Sequence, residues 1–129
     1  MAWIELVSVF ALLQYMWFGF QVGAARGKYG IKAPAVAGHE VFERIYRVQM
    51  NTLEQLVVFL PALWMAARYW SPVWMAAIGA VYLVGRMIYR NSYIQDPRSR
   101  TLGFALSFFP CAALLLATLV GVGLALVHS

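Results

Sequence analysis

Four long apolar runs divide the chain, each separated from the next by a short group of charged residues and helix breakers. A membrane helix needs roughly 20 mainly apolar residues at about 1.5 Å each. The stretch from about Trp3 to Ala24 meets that requirement, interrupted only by Glu5, Gln14 and Gln21. From Arg26 to about Gly38, charge alternates with glycine and Pro34, which reads as the longest connector. A second helix is predicted over about 39–68, polar in its first half and apolar from Leu56 to Ala67. Pro61 removes a backbone donor inside it and is expected to bend it, at a cost that neighbouring helices absorb.

A tight turn at Ser71-Pro72 then leads into a third helix over about 72–95, apolar as far as Val84 and marked afterwards by Arg86, Tyr89, Arg90 and Tyr93. Asp96-Pro97 is expected to stop it, because the residue before a proline avoids the helical region, and Ser99 is placed to cap a fourth helix. That helix covers about 100–127, carries no charge between Thr101 and Val127, and contains Pro110 as a possible kink. The predicted fold is an all-α, integral membrane four-helix bundle, with residues 1–129 forming a single transmembrane domain.

Composition agrees with the pattern. The 129 residues are 63% hydrophobic and only 12% charged, about half the charge of a soluble domain. Such a chain has too little polar surface to coat a soluble globule. The single cysteine, Cys111, lies inside the fourth run, so no intrachain disulfide is available. Glu5 stands where a basic leader region would be, and no cleavable signal is expected.

Ten Lys and Arg oppose five Asp and Glu. Nucleic acid is not the expected partner, since the connectors are too short to present a basic face. Four spans put the 26–38 and 95–99 connectors on one side of the bilayer, with both termini and the 69–71 turn on the other. Nine of the ten basic residues, all but Arg68, gather toward the first side. The positive-inside tendency makes that side cytoplasmic.

Arg47, Asn51 and Glu54 are spaced i, i+4 and i+7, so they share one face of the second helix. Ionisable groups at membrane depth are costly unless paired or facing a wet cavity, which makes them functional candidates. Arg86, Tyr89, Arg90 and Tyr93 repeat the spacing on the third helix. The plainer alternatives are an internal ion pair that glues helices together and, for Arg90, a snorkelling side chain in an aromatic belt. Arg26, Arg98 and Arg100 lie at the same level. Together they predict a cationic pocket holding one carboxylate, suited to a small ligand with carboxylates and an amine, such as glutathione. An arginine beside a thiol would favour its nucleophilic thiolate form. The residues by themselves support an anionic ligand and no particular reaction.

The segment from Phe42 to Glu54 contains Arg47-x-Gln49-x-Asn51-x-x-Glu54, and this spacing resembles the signature of the MAPEG family, the membrane-associated proteins in eicosanoid and glutathione metabolism. Gly85-Arg86 followed by Tyr89 and Tyr93, with Arg100 opening the last helix, extends the resemblance across nearly the whole chain. Its microsomal glutathione transferase and leukotriene-synthase branches look most similar. The resemblance implies a homotrimer with glutathione as co-substrate, bound between neighbours at the cytoplasmic side. It also implies that Arg26, Arg47, Gln49, Asn51, Glu54, Tyr89 and Tyr93 contact glutathione and that Arg100 stabilises the thiolate; it implies no metal. The second substrate would be a lipophilic electrophile or hydroperoxide arriving from membrane lipid, giving transferase and possible peroxidase activity. Gln55 replaces a tyrosine of the leukotriene-synthase branch and Gly27 a further arginine, so general transferase or peroxidase work is expected over leukotriene synthesis. The rivals are a non-catalytic lipid-binding scaffold and a small four-helix multidrug transporter. Cys111, His39 and His128 match no catalytic position and read as packing, a helix start and a tail.

Overall fold

The computed structural model describes all 129 residues. It is entirely helical, with α1 at Ala2–Tyr29, α2 at Glu40–Tyr69, α3 at Pro72–Gln95 and α4 at Thr101–Val127, and a single 3-10 turn at Pro97–Ser99. All four long helices are long and apolar enough to cross a membrane.

Side-chain contacts set the register. Phe59 stacks on Tyr82 with ring centroids 3.8 Å apart, and Arg44 reaches the carbonyls of Ile94 and Gln95, so α2 and α3 run antiparallel. Gln14 bonds the Leu83 carbonyl and Arg90 bonds Gln21, which makes α1 and α3 parallel. Cys111 meets Gln55 and Thr118 meets the Ala62 carbonyl, which makes α2 and α4 parallel. The result is an up-down-up-down bundle in which α2 and α3 each pack on all three other helices.

Ile4, Ala11, Phe59, Leu63, Tyr82 and Leu114 lie in one core cluster. The apolar residues outside it are largely exposed, among them Trp74, Phe20 and Leu119, as a bilayer solvent permits. The buried serine and threonine hydroxyls are satisfied within their own helices: Ser8, Thr52, Ser107 and Thr118 each donate to the carbonyl four residues back. Two glycines bring α3 and α4 together. A Cβ on Gly85 would stand 2.5 Å from the Leu106 carbonyl carbon, and one on Gly103 would stand 2.3 Å from the Tyr89 nitrogen, so the backbones touch where only glycine fits.

Two local expectations change. Helix α1 does not end near Ala24 but runs on to Tyr29, so Arg26, Gly27 and Lys28 are helical. Cations near a helix C-terminus are favoured by its dipole, and the stop comes instead from Gly30, which takes the left-handed conformation at φ 69°. Ser99 does not cap α4. Its hydroxyl donates back to the Ser92 and Asp96 carbonyls, and α4 begins after Arg100 without a side-chain cap. Helices α2 and α4 both continue through their internal prolines, Pro61 and Pro110.

Candidate functional site

The polar half of α2 starts at His39, whose ring nitrogen accepts from the Val41 N–H. One helical face then presents Arg47, Asn51 and Glu54 in successive turns. Facing it, α3 carries Tyr82, Arg86, Tyr89 and Tyr93 at three- and four-residue spacing. Because Gly103 lets the α4 backbone rest on that of Tyr89, the start of α4 closes the third wall.

Between them lies a cavity of about 540 Å³, bordered by Arg47, Asn51, Tyr89, Tyr93, Arg100 and, on the α4 side, Thr101 and Phe104. The rings of Tyr89 and Tyr93 stack with centroids 5.4 Å apart. Arg47 places Nη1 3.3 Å from Oε1 of Glu54, with both side chains more than half exposed, so water weakens the attraction. Arg100 is exposed and donates to the Pro97 carbonyl at 3.2 Å. A second cavity of about 630 Å³ opens toward the 30–39 connector and shares Arg47 and Tyr93 as walls. Its further lining includes Glu40, Glu43 and Arg44, and Glu40 is bonded to Arg44.

The eight residues singled out from the sequence divide into three groups. Arg47, Asn51, Tyr89, Tyr93 and Arg100 border one cavity. Glu54 joins through its pairing with Arg47, and it also borders a mostly apolar groove with Val58, Phe108 and Cys111. Arg26 and Gln49 do not border the cavity of their own chain. Arg26 donates to the Ala35 carbonyl at 2.7 Å and lies over the Phe42 ring. Gln49 lies against Gly19 of α1. Arg98, counted among the basic residues at this level, is bound to Asp96 in the 3-10 turn. Arg90 turns away over Trp17 and bonds Gln21 and Asn91, which is the aromatic-belt alternative.

Sequence reasoning did not anticipate the depth of Arg86. This residue has no exposed surface, yet it stands directly behind the cavity wall. Its Nη2 donates to Oδ1 of Asn51 at 2.8 Å and to Oγ1 of Thr52 at 3.2 Å. Its Cζ lies 4.3 Å from the centroid of the Tyr89 ring. The available signal was the neighbouring Gly85, since a close helix contact buries the side chains beside it.

Chemically, the cavity offers guanidinium, amide and phenol groups. No three His, Cys, Asp or Glu side chains lie close enough together to hold a metal. Two arginines on the walls and one behind them make a binding place for an anion with several acceptor oxygens. The groove next to Glu54 brings an apolar surface close to it.

The sequence profile of the MAPEG family matches residues 4–120. An uncharacterized protein of Synechocystis is 43% identical, over 93% of this chain and 88% of its own length. Human microsomal glutathione S-transferase 2 is 39% identical, over 90% of this chain and 79% of its own. Leukotriene C4 synthase of Cavia porcellus is 34% identical, with 87% of each chain covered. With the profile covering most of its length and the four membrane-length helices in place, this chain belongs to the MAPEG family.

Proposed function

We propose that the protein is a membrane-bound glutathione transferase, with the tripeptide seated in the cavity between α2, α3 and α4. The observation that carries this reading is the convergence of Arg47, Asn51, Tyr89, Tyr93 and Arg100 on one cavity. Two of its relatives are named as a glutathione transferase and a leukotriene C4 synthase.

In this reading the arginines and Asn51 hold the carboxylates and carbonyls of glutathione, and Glu54 receives its ammonium group. Arg100 supplies the cation that stabilises the sulfur as thiolate, and the thiol proton passes to solvent. The thiolate then attacks an electrophilic carbon of a lipophilic molecule supplied by the bilayer. A carbon–sulfur bond forms, and the leaving group departs with the electron pair of its broken bond. No protein nucleophile takes part. The rate gain comes from orientation and from charge placed in advance. With a lipid hydroperoxide, two glutathione molecules are oxidised to the disulfide while the hydroperoxide is reduced to an alcohol and water.

The assembly proposed for this activity is a homotrimer with its sites between neighbouring copies and open to the cytoplasm. Arg26 and Gln49, which do not border their own cavity, would serve that of the adjacent copy. Both the cavity and nine of the ten basic residues lie toward the end of the bundle formed by the two basic connectors, which the positive-inside tendency assigns to the cytoplasm.

Calorimetry with glutathione in detergent tests the reading. Saturable binding that weakens about tenfold or more in Arg47→Ala is expected; no binding by the unmodified protein overturns it.

A further inference from the structure

Arg86 is the largest fully buried side chain in the protein, and it is not offset by a carboxylate. The ion pairs of the chain are Arg44–Glu40, Arg47–Glu54 and Arg98–Asp96. Its Nε and Nη1 meet no hydrogen-bond acceptor. A guanidinium kept at membrane depth on such terms is expensive and points to function. Two of the groups it touches, Asn51 and Tyr89, border the cavity. The third, Thr52, gives its own hydrogen to the Val48 carbonyl at 2.7 Å and so turns an oxygen lone pair to Arg86.

An asparagine amide has a donor end and an acceptor end, and either can face a ligand. A guanidinium has only donors. If the Asn51 amide were reversed, its NH2 group would meet the Arg86 NH2 group, donor against donor. Arg86 therefore forces the oxygen of Asn51 toward itself and leaves the Nδ2 hydrogens as what Asn51 can offer elsewhere.

We propose that Arg86 is a positioning residue which makes Asn51 an obligate hydrogen-bond donor to the cavity, so that the cavity selects a ligand group that accepts there, a carboxylate or peptide carbonyl. The inference deepens the glutathione reading and rests on it for the identity of the ligand, while the Arg86–Asn51 relation does not.

The decisive variant is Asn51→Asp. It keeps an oxygen toward Arg86 and adds a charge partner, so its melting temperature in detergent should equal or exceed that of the unmodified protein. Its second oxygen, however, accepts where Nδ2 donated. The KM for glutathione should rise about tenfold or more with kcat little changed, the split expected when a binding contact is lost without harm to the chemical step. An unchanged KM in the folded variant overturns the proposal. In Arg86→Met the amide is free to turn and KM should rise as well, and Arg86→Lys, another donor-only cation, should recover part of the loss; should Arg86→Met fail to fold, Asn51→Asp decides. A ligand-free readout completes the test. Melting temperatures of Arg86→Met, Asn51→Leu and the double variant should be non-additive, and strict additivity overturns the contact itself. If the unmodified protein binds no glutathione, the glutathione reading fails while this cycle still decides the Arg86–Asn51 relation.

Discussion

Nη2 of Arg86 and Oδ1 of Asn51 are 2.8 Å apart, and this bond joins the buried interior of the bundle to the wall of a polar cavity. A charge that no carboxylate offsets thus stands one residue behind the place where an anionic ligand is proposed to sit. The consequences reach the chemistry, the binding and the packing.

Arg100 is proposed to act on the sulfur alone. Arg100→Ala should lower conjugation of glutathione with 1-chloro-2,4-dinitrobenzene by about 100-fold, the usual effect of removing one preorganised donor to a developing anion. Calorimetry at a pH low enough to keep the bound thiol protonated should find glutathione affinity changed by less than about threefold, since Arg100 attracts the sulfur only in its ionised form. Thiolate absorbance near 240 nm should then appear only at higher pH in the variant, because the thiol loses the cation that favours its ionised form. Full turnover would remove Arg100 from the mechanism.

Arg47 and Glu54 form an exposed pair at 3.3 Å. Exposed pairs contribute about 0–1 kcal/mol to stability, so Arg47→Ala and Glu54→Gln should each melt within a few degrees of the unmodified protein. Glutathione affinity should nevertheless fall about 10- to 100-fold in each, the equivalent of one charge-assisted hydrogen bond of about 1.5–3 kcal/mol. Parallel losses of melting temperature and affinity would mean that the pair is only structural.

Gly103 supports the site through packing. A Cβ there would stand 2.3 Å from the Tyr89 nitrogen and 2.4 Å from its Cα, both backbone atoms that cannot move aside alone. Gly103→Ala should cost about 1–3 kcal/mol through overpacking and reduce turnover by moving Tyr89. Gly23→Ala, where a Cβ meets no atom within 4 Å, is the control and should melt at or slightly above the unmodified protein. Thermal melts in detergent read both.

The proposed assembly gives a complementation test. In a trimer with sites between neighbours, Arg26→Ala and Arg47→Ala damage opposite sides of each site. Mixed subunits should therefore recover activity that neither variant shows alone. Cross-linking should proceed to trimers, and products ending at dimers would contradict the arrangement.

Hydropathy in the sequence determined the number of spans, because the bilayer demands long apolar runs whose backbone bonds close within one helix. Helical spacing put Arg47, Asn51 and Glu54 on one face, and brought Arg86, Tyr89, Arg90 and Tyr93 together on the third helix, since periodicity is a property of a single helix. What the sequence could not determine is which groups on different helices meet. The close α3–α4 contact at Gly85 and Gly103, the separation of Arg26 and Gln49 from the cavity, and the turning of Arg90 onto Trp17 all depend on how whole helices approach and rotate. Arg86 shows the difference most clearly. Its place in the stripe was legible, but its burial against Asn51 and Thr52 was decided by the packing of α3 against α2 and α4, where shape complementarity outweighs the cost of an enclosed charge.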